Sequence, residues 1–216
     1  MKTVILRLVI VIIGYNLTAQ NATGWLLNTT NYDNYYGVTM ANGKFGVVTN
    51  HFPLSTKEII LGGVYEASEE NGISRVLKGI EFLNLNVSFN GNSITEIDMT
   101  NWNQQVNLRD GLTTTSFEFK KQLKITHHLV VNRALPLAAM AIVEVEALTD
   151  GVLNVGNKMA VPSQLIHSES IYRVLKDGQY LMPVFRTTAK SLHDKHTISA
   201  ATTLLFDDYI PEVKGD

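Results

Sequence analysis

The stretch Phe82-Leu-Asn-Leu-Asn-Val-Ser-Phe-Asn-Gly91, "FLNLNVSFNG", decides the fold class. Leu83, Leu85, Val87 and Phe89 fall on one side of an extended chain, with Asn84, Asn86 and Ser88 on the other. That period of two fits a half-buried strand and is incompatible with a helix. Asn90-Gly91 then supplies two residues that accept positive φ, as a tight hairpin requires, and Ile94, Ile97 and Met99 begin a return.

The same grammar extends in both directions. Asp110-Gly111 separates Gln105–Leu108 from Leu112–Phe119. Asp150-Gly151 separates Ala141–Ala147 from Val152–Val155, and Asp177-Gly178 separates Ile171–Leu175 from Gln179–Met182. Leu123, Ile125, His127, Leu129 and Val131 alternate as a further strand, and a last one covers Thr197 to Phe206. Ser68 to Ile80 reads as a short helix or an ordered loop. Strands at such spacing, joined by such turns, predict an all-β domain: a large antiparallel β-sandwich with few short helices.

Within this pattern, Val38-Thr-Met-Ala-Asn-Gly-Lys-Phe-Gly-Val-Val48 has two readings. Glycines around a lysine suggest a phosphate cradle, but such a loop needs a following Ser or Thr and a helix N-terminus facing the anion. Val47-Val48-Thr49 continues as strand instead, so Asn42-Gly43 reads as a hairpin turn.

Composition narrows the function. Of 216 residues, 45% are hydrophobic, enough for a packed core. Lys+Arg total 18 against 20 Asp+Glu, with no basic block, so a nucleic-acid partner is not expected. Cysteine is absent, which excludes disulfides, thiolate metal sites and cysteine nucleophiles.

Residues 1–20 differ from the rest. Lys2 and Arg7 precede the apolar run Leu8–Ile13, and Thr18-Ala19-Gln20 follows. This reads as a secretory signal peptide cut near Ala19 or Gln20, although no clean small-x-small pair marks the site. The run is well short of the ~20 residues of a spanning helix, so the mature chain has no expected membrane partner. An uncleaved N-terminal anchor is the alternative. The expected organisation is a signal peptide over 1–20, a β-sandwich over 21–206 and the start of a linker over 207–216. The expected location is secreted or periplasmic.

No stretch carries a bond-breaking signature. His193-Asp-Lys-His196 places two imidazoles three apart in a polar run, a solvated loop without the further ligands zinc would need. His127 and His128 alternate faces, and His127 shares the Leu129 side. Glu69-Glu70 and Asp207-Asp208 are adjacent rather than opposed across a sugar. Glu144 and Glu146 share the polar face of a strand. No Gly-x-Ser-x-Gly occurs. No catalytic residue, metal ligand or cofactor is assigned. Trp25, Tyr32, Tyr35 and Tyr36 crowd the mature N-terminus, and Trp102 follows a strand. Such rings either stack on a sugar or anchor a terminal segment.

Several stretches carry a family resemblance in register. Asn42-Gly-Lys-Phe-Gly46 resembles the "N-G-x-x-G" of the N-terminal domain of glycoside hydrolase family 65, which includes maltose, trehalose and kojibiose phosphorylases and related α-glucosidases. Leu61-Gly-Gly-Val-Tyr65 is similar to its "A-G-V-Y", Glu81–Asn86 to its "E-L-V-N-L-P-N", and Asn107–Thr113 to its "D-L-R-R-G-V-L". His128–Arg133 with Leu135-Pro-Leu137 resembles the strand that passes a "D-P" or "L-P" step.

The resemblance implies a supersandwich preceding a catalytic (α/α)6 barrel, with the general acid in the barrel and no catalytic residue carried onto this chain. The barrel and a di- or oligosaccharide are the implied partners, and a homodimer is a further one. A leader is atypical of cytoplasmic phosphorylases and points to a secreted hydrolase of α-glucosides, since phosphorolysis outside the cell would forfeit the sugar phosphate. Trp25, Tyr35, Tyr36, Tyr65 and Trp102 become the carbohydrate-facing or inter-domain candidates. In the inter-domain case the N-terminal aromatics and the Gly62–Tyr65 loop would form one apolar patch. A free-standing carbohydrate-binding β-sandwich module is the alternative.

Overall fold

A computed structural model describes residues 22–67, 69, 72–177 and 180–206. The expected leader, the expected linker, the Asp207-Asp208 pair, Glu70 and the Gly178-Gln179 turn lie outside the described residues. The described residues are all-β, with two single-turn 3-10 helices at Ala22–Trp25 and Glu96–Asp98.

Four antiparallel sheets build it. The largest has the order β1 (Leu26–Thr29), β8 (Met99–Asn107), β9 (Leu112–Phe119), β10 (Leu123–Val131) and β11 (Ala139–Ala147). A second runs β2 (Thr39–Ala41), β3 (Phe45–Thr49), β4 (Thr56–Ala67) and β5 (Ser74–Gly79). A third is β12 (Leu153–Ala160), β6 (Glu81–Phe89) and β7 (Asn92–Ser93). The fourth is β13 (Leu165–Asp177), β14 (Tyr180–Ser191) and β15 (Thr197–Thr203).

The sheets stack because alternate residues are apolar. Along β9, Thr113, Thr115, Phe117 and Phe119 turn inward, and along β10 Leu123, Ile125, His127, Leu129 and Val131 do the same. Phe117, Phe119, Leu123 and Ile125 pack with Val87 and Phe89 of β6, joining the five-stranded sheet to the third sheet. Leu129 and Val131 meet Met40, Phe45, Val47 and Ile59, joining it to the second. Leu77, Ile80, Leu165 and Ala189 tie the second and fourth together. Removing such side chains from water is the dominant favourable term, about 1.5–3 kcal/mol for each large aliphatic or aromatic group.

Four expectations are corrected. Residues 74–79 form β5, not a helix or loop. Its inward positions include Leu77 and Gly79, so only one bulky side chain marks the buried face and no alternation is visible. Asp150-Gly151 does not close a hairpin, because β11 pairs with β10 whereas β12 pairs with β6. The return after Asn90-Gly91 is only Asn92–Ser93, after which the chain crosses to the five-stranded sheet at Met99. Asn84 also departs from the polar face assigned to it. It is buried, its Oδ1 accepting from Thr56 N (2.7 Å) and Thr56 Oγ1 (2.9 Å).

Candidate functional site

The Asn42 turn is the best-organised junction on the surface. Asn42 Oδ1 accepts the backbone N–H of Lys44 (3.0 Å) and Phe45 (3.3 Å), an Asx turn that fixes the β2–β3 hairpin. Its Nδ2 donates to Asn132 O (2.7 Å) and Pro136 O (3.0 Å), so the same side chain also holds the β10–β11 loop. Gly43 takes φ +89°, which a residue with a Cβ adopts only under strain. Gly62 donates its N–H to Lys44 O at 2.8 Å, and a Cβ there would lie 2.9 Å from the carbonyls of both Gly43 and Lys44. Phe45 of β3 pairs with Leu61 of β4, which brings Gly62 onto the turn.

The β8–β9 turn lies at the same end of its sheet, since Leu112 pairs with Val130. Asn107 caps it, its Oδ1 accepting from Arg109 N and Asp110 N and its Nδ2 donating to Asp110 Oδ2 (2.6 Å). Leu108 N donates to Trp25 O, which fastens the start of the described chain here. Four of the stretches with family resemblance thus sit at one end of the molecule. Glu81–Asn86 lies within β6.

The aromatic candidates divide. Trp102 is buried, at 4% exposure, and its indole N–H donates to His51 O (2.8 Å). Tyr35 is half-buried; its hydroxyl donates to Gln104 Oε1 (2.9 Å) and hydrogen-bonds Thr49 Oγ1 (2.6 Å). The two rings meet edge to face with centroids 6.1 Å apart, Tyr35 also meets the His51 imidazole, and Tyr32 stacks on that imidazole with centroids 5.3 Å apart. Tyr35 and Trp102 therefore turn inward and brace the N-terminal segment. Trp25, Tyr36 and Tyr65 remain exposed. Gly62–Tyr65, expected as a loop, lies within β4, and Gly62 meets the Asn42 turn. Beside Tyr32 and Trp102 lies an open hollow of about 430 Å³, bordered by Thr30, Thr100, Asn101 and Asn103.

His127 points into the core beside a cavity of about 10 Å³ lined by Thr49, Ser55, Thr113 and Thr115. Burial, reinforced by neighbouring His128, pushes its imidazole down to about 4, so it is neutral at ordinary pH. Glu81 is raised above the usual carboxylate range, chiefly by burial, against the lowering effects of the Asn84 hydrogen bond and Lys78. Glu58 adds to the rise but is itself paired with Lys78 at 2.6 Å. Neither carboxylate lines the hollow or the His127 cavity. Buried Glu66 accepts from Ser191 Oγ (2.8 Å), and that oxygen accepts His196 N (3.0 Å), so Ser191 fastens a turn. No group of three or more metal-ligating side chains occurs among the described residues.

Sequence reasoning missed the asparagines that staple these turns. Asn42, Asn107 and Asn132 each stand two and three residues before the N–H groups they accept, a spacing visible in the sequence once Asx turns are sought.

The fold defines an antiparallel β-sandwich module whose best-organised end gathers the Asn42, Asn107 and Asn132 turns. Residues 36–207 match the model of "Glycosyl hydrolase family 65, N-terminal domain". The chain belongs to that family. It is 30% identical over 186 residues to a kojibiose hydrolase of Flavobacterium johnsoniae, covering 85% of this chain and 27% of that protein. A kojibiose hydrolase of Mucilaginibacter mallensis is 26% identical over 186 residues, covering 85% of this chain and 28% of its own length. The chain spans about a quarter of the length of these curated relatives.

Proposed function

We propose that this chain is the non-catalytic N-terminal β-sandwich of a secreted family-65 glycoside hydrolase acting on α-glucosides, bracing an (α/α)6 catalytic barrel and lining one wall of its pocket. The family match over residues 36–207 carries the reading. It is supported by the hydrogen bonds that engage Glu66, Glu81 and Ser191 within the domain. The relatives' names suggest kojibiose as substrate, with hydrolysis as the reaction. Secretion rests on the Lys2–Gln20 leader. A homodimer through the sandwich is compatible with the same role.

The isolated chain should leave kojibiose and maltose intact over hours, as followed by glucose release. Turnover at an enzyme-like rate would end this reading. N-terminal sequencing of secreted protein should start near residue 20 or 21. The hollow beside Tyr32 favours a second reading, a carbohydrate-binding module. Calorimetric titration with malto-oligosaccharides separates the two, because a module binds alone and a brace does not.

A further inference from the structure

We infer that the corner formed by the Asn132–Ala138 loop and the start of β11 is the surface on which the remainder of the family-65 polypeptide docks; this rests on the bracing role just proposed. Four aliphatic side chains project there within eight residues. Leu135 is 62% exposed, Leu137 83%, Met140 53% and Ile142 48%. β11 is also an edge strand, its outer side unpaired within this sheet.

Exposed leucines in a loop are ordinary when the loop is loose. Here the backbone is tied down at nearly every step. Asn132 Oδ1 accepts Ala134 N (2.8 Å) and Leu135 N (3.0 Å), Ala138 N donates to Leu135 O (2.9 Å), and Asn132 N donates to Ala138 O (3.1 Å). Asn42 Nδ2 adds its two bonds to Asn132 O and Pro136 O from across the sandwich. The hydrogen bonds spend the backbone's polar groups internally and leave the greasy side chains outward. A surface of that kind is pre-organised for an apolar partner and loses little entropy on binding. Water alone gives no reason to hold leucines out so firmly.

The occupant follows from length and place. The chain matches an N-terminal domain and spans about a quarter of its curated relatives, so most of such a polypeptide lies outside this domain and is the candidate occupant. Exposed Arg133 and Lys44 flank the corner, so the partner surface should pair an apolar hollow with an acidic rim.

The test titrates the 216-residue chain with the separately produced remainder of the Flavobacterium johnsoniae kojibiose hydrolase, the part this chain does not match, and maps amide hydrogen exchange. Protection centred on residues 132–142 and 42–45 is expected. Leu135→Ser with Leu137→Ser should weaken the complex at least tenfold and leave the melting temperature of the free chain unchanged. Val174→Ser with Leu175→Ser, exposed apolar positions on β13, should leave affinity as it was. A complex protected elsewhere, or indifferent to the leucine pair, overturns this surface while the bracing role stands. No complex at all overturns the bracing role itself. A dimer of the chain alone that protects residues 132–142 makes a second copy the occupant and overturns the assignment.

Discussion

Two Asn-Gly turns in this protein share a dipeptide and differ in almost everything else. At Asn90-Gly91 both residues are left-handed, with φ of +50° and +78°, and they form the two-residue loop between Phe89 and its partner Asn92. At Asn42-Gly43 the positive φ falls on Gly43 alone, and Asn42 is the residue before the loop. Asn90 Oδ1 accepts Val152 N (2.9 Å), so its side chain ties the turn to the start of the neighbouring segment. Asn42 serves two elements at once, through its oxygen to its own hairpin and through its nitrogen to a loop some ninety residues on. One turn folds a strand back. The other joins two sheets and holds the loop that carries Leu135 and Leu137.

That contrast is best tested against a perturbation that should not discriminate between the turns. Acid supplies it. His127 lies buried in β10, and its pKa falls from 6.5 to about 4 on folding. The unfolded chain therefore binds a proton that the folded chain refuses between these values, and stability falls as pH is lowered through that window. The loss approaches about 3 kcal/mol near the lower limit. Urea midpoints measured from pH 7.5 to 4 should show the decline, and a His127→Gln variant should flatten it. Both turns should open together by hydrogen exchange, because the core fails as a whole. A slope unaltered by the substitution would remove His127 from the account.

Asn42→Ala comes next. It strands two loop carbonyls and two turn N–H groups, at a cost of about 2 kcal/mol. Exchange should quicken at residues 43–45 and 134–138 while residues 90–93 stay protected. Uniform acceleration across the chain would mean that Asn42 is an ordinary core contact and not a local staple.

Gly91→Ala should be the smallest effect. It forces a Cβ into a left-handed position with no atom within 4 Å to clash, costing about 1 kcal/mol from backbone strain alone. Its influence should stop at the β6–β7 hairpin. If it loosens the 132–138 loop as much as Asn42→Ala does, the two turns are not distinct in the way described.

Much of this fold was legible beforehand. The strands around Phe82–Phe89, Leu112–Phe119 and Leu123–Val131 were plain because a sheet with one face in the core repeats its polarity every second residue. β5 was invisible because Gly79 occupies an inward position, and an absent side chain leaves no mark on a hydrophobicity pattern. Asp150-Gly151 misled for a related reason. Asp-Gly reports that the chain turns, but not whether the next strand pairs with the last one. Among the site residues, Tyr36 and Tyr65 stayed exposed where Tyr35 and Trp102 went in. Neighbouring tyrosines look alike in sequence, and only their partners, Thr49 and Gln104 for Tyr35, separate them.

Local physics, written in the order of residues, settled that this protein is built of antiparallel strands and that it resembles the first domain of a family-65 glycoside hydrolase. Alternation, turn chemistry and the absence of cysteine act over a few residues or over the whole composition, and both can be read directly. The tertiary structure decided which strands are neighbours, which aromatics are spent on packing, and that Asn42 reaches Asn132 and Pro136. Those outcomes depend on hydrogen bonds and contacts between residues far apart in the chain, whose partners are fixed only when the sheets stack.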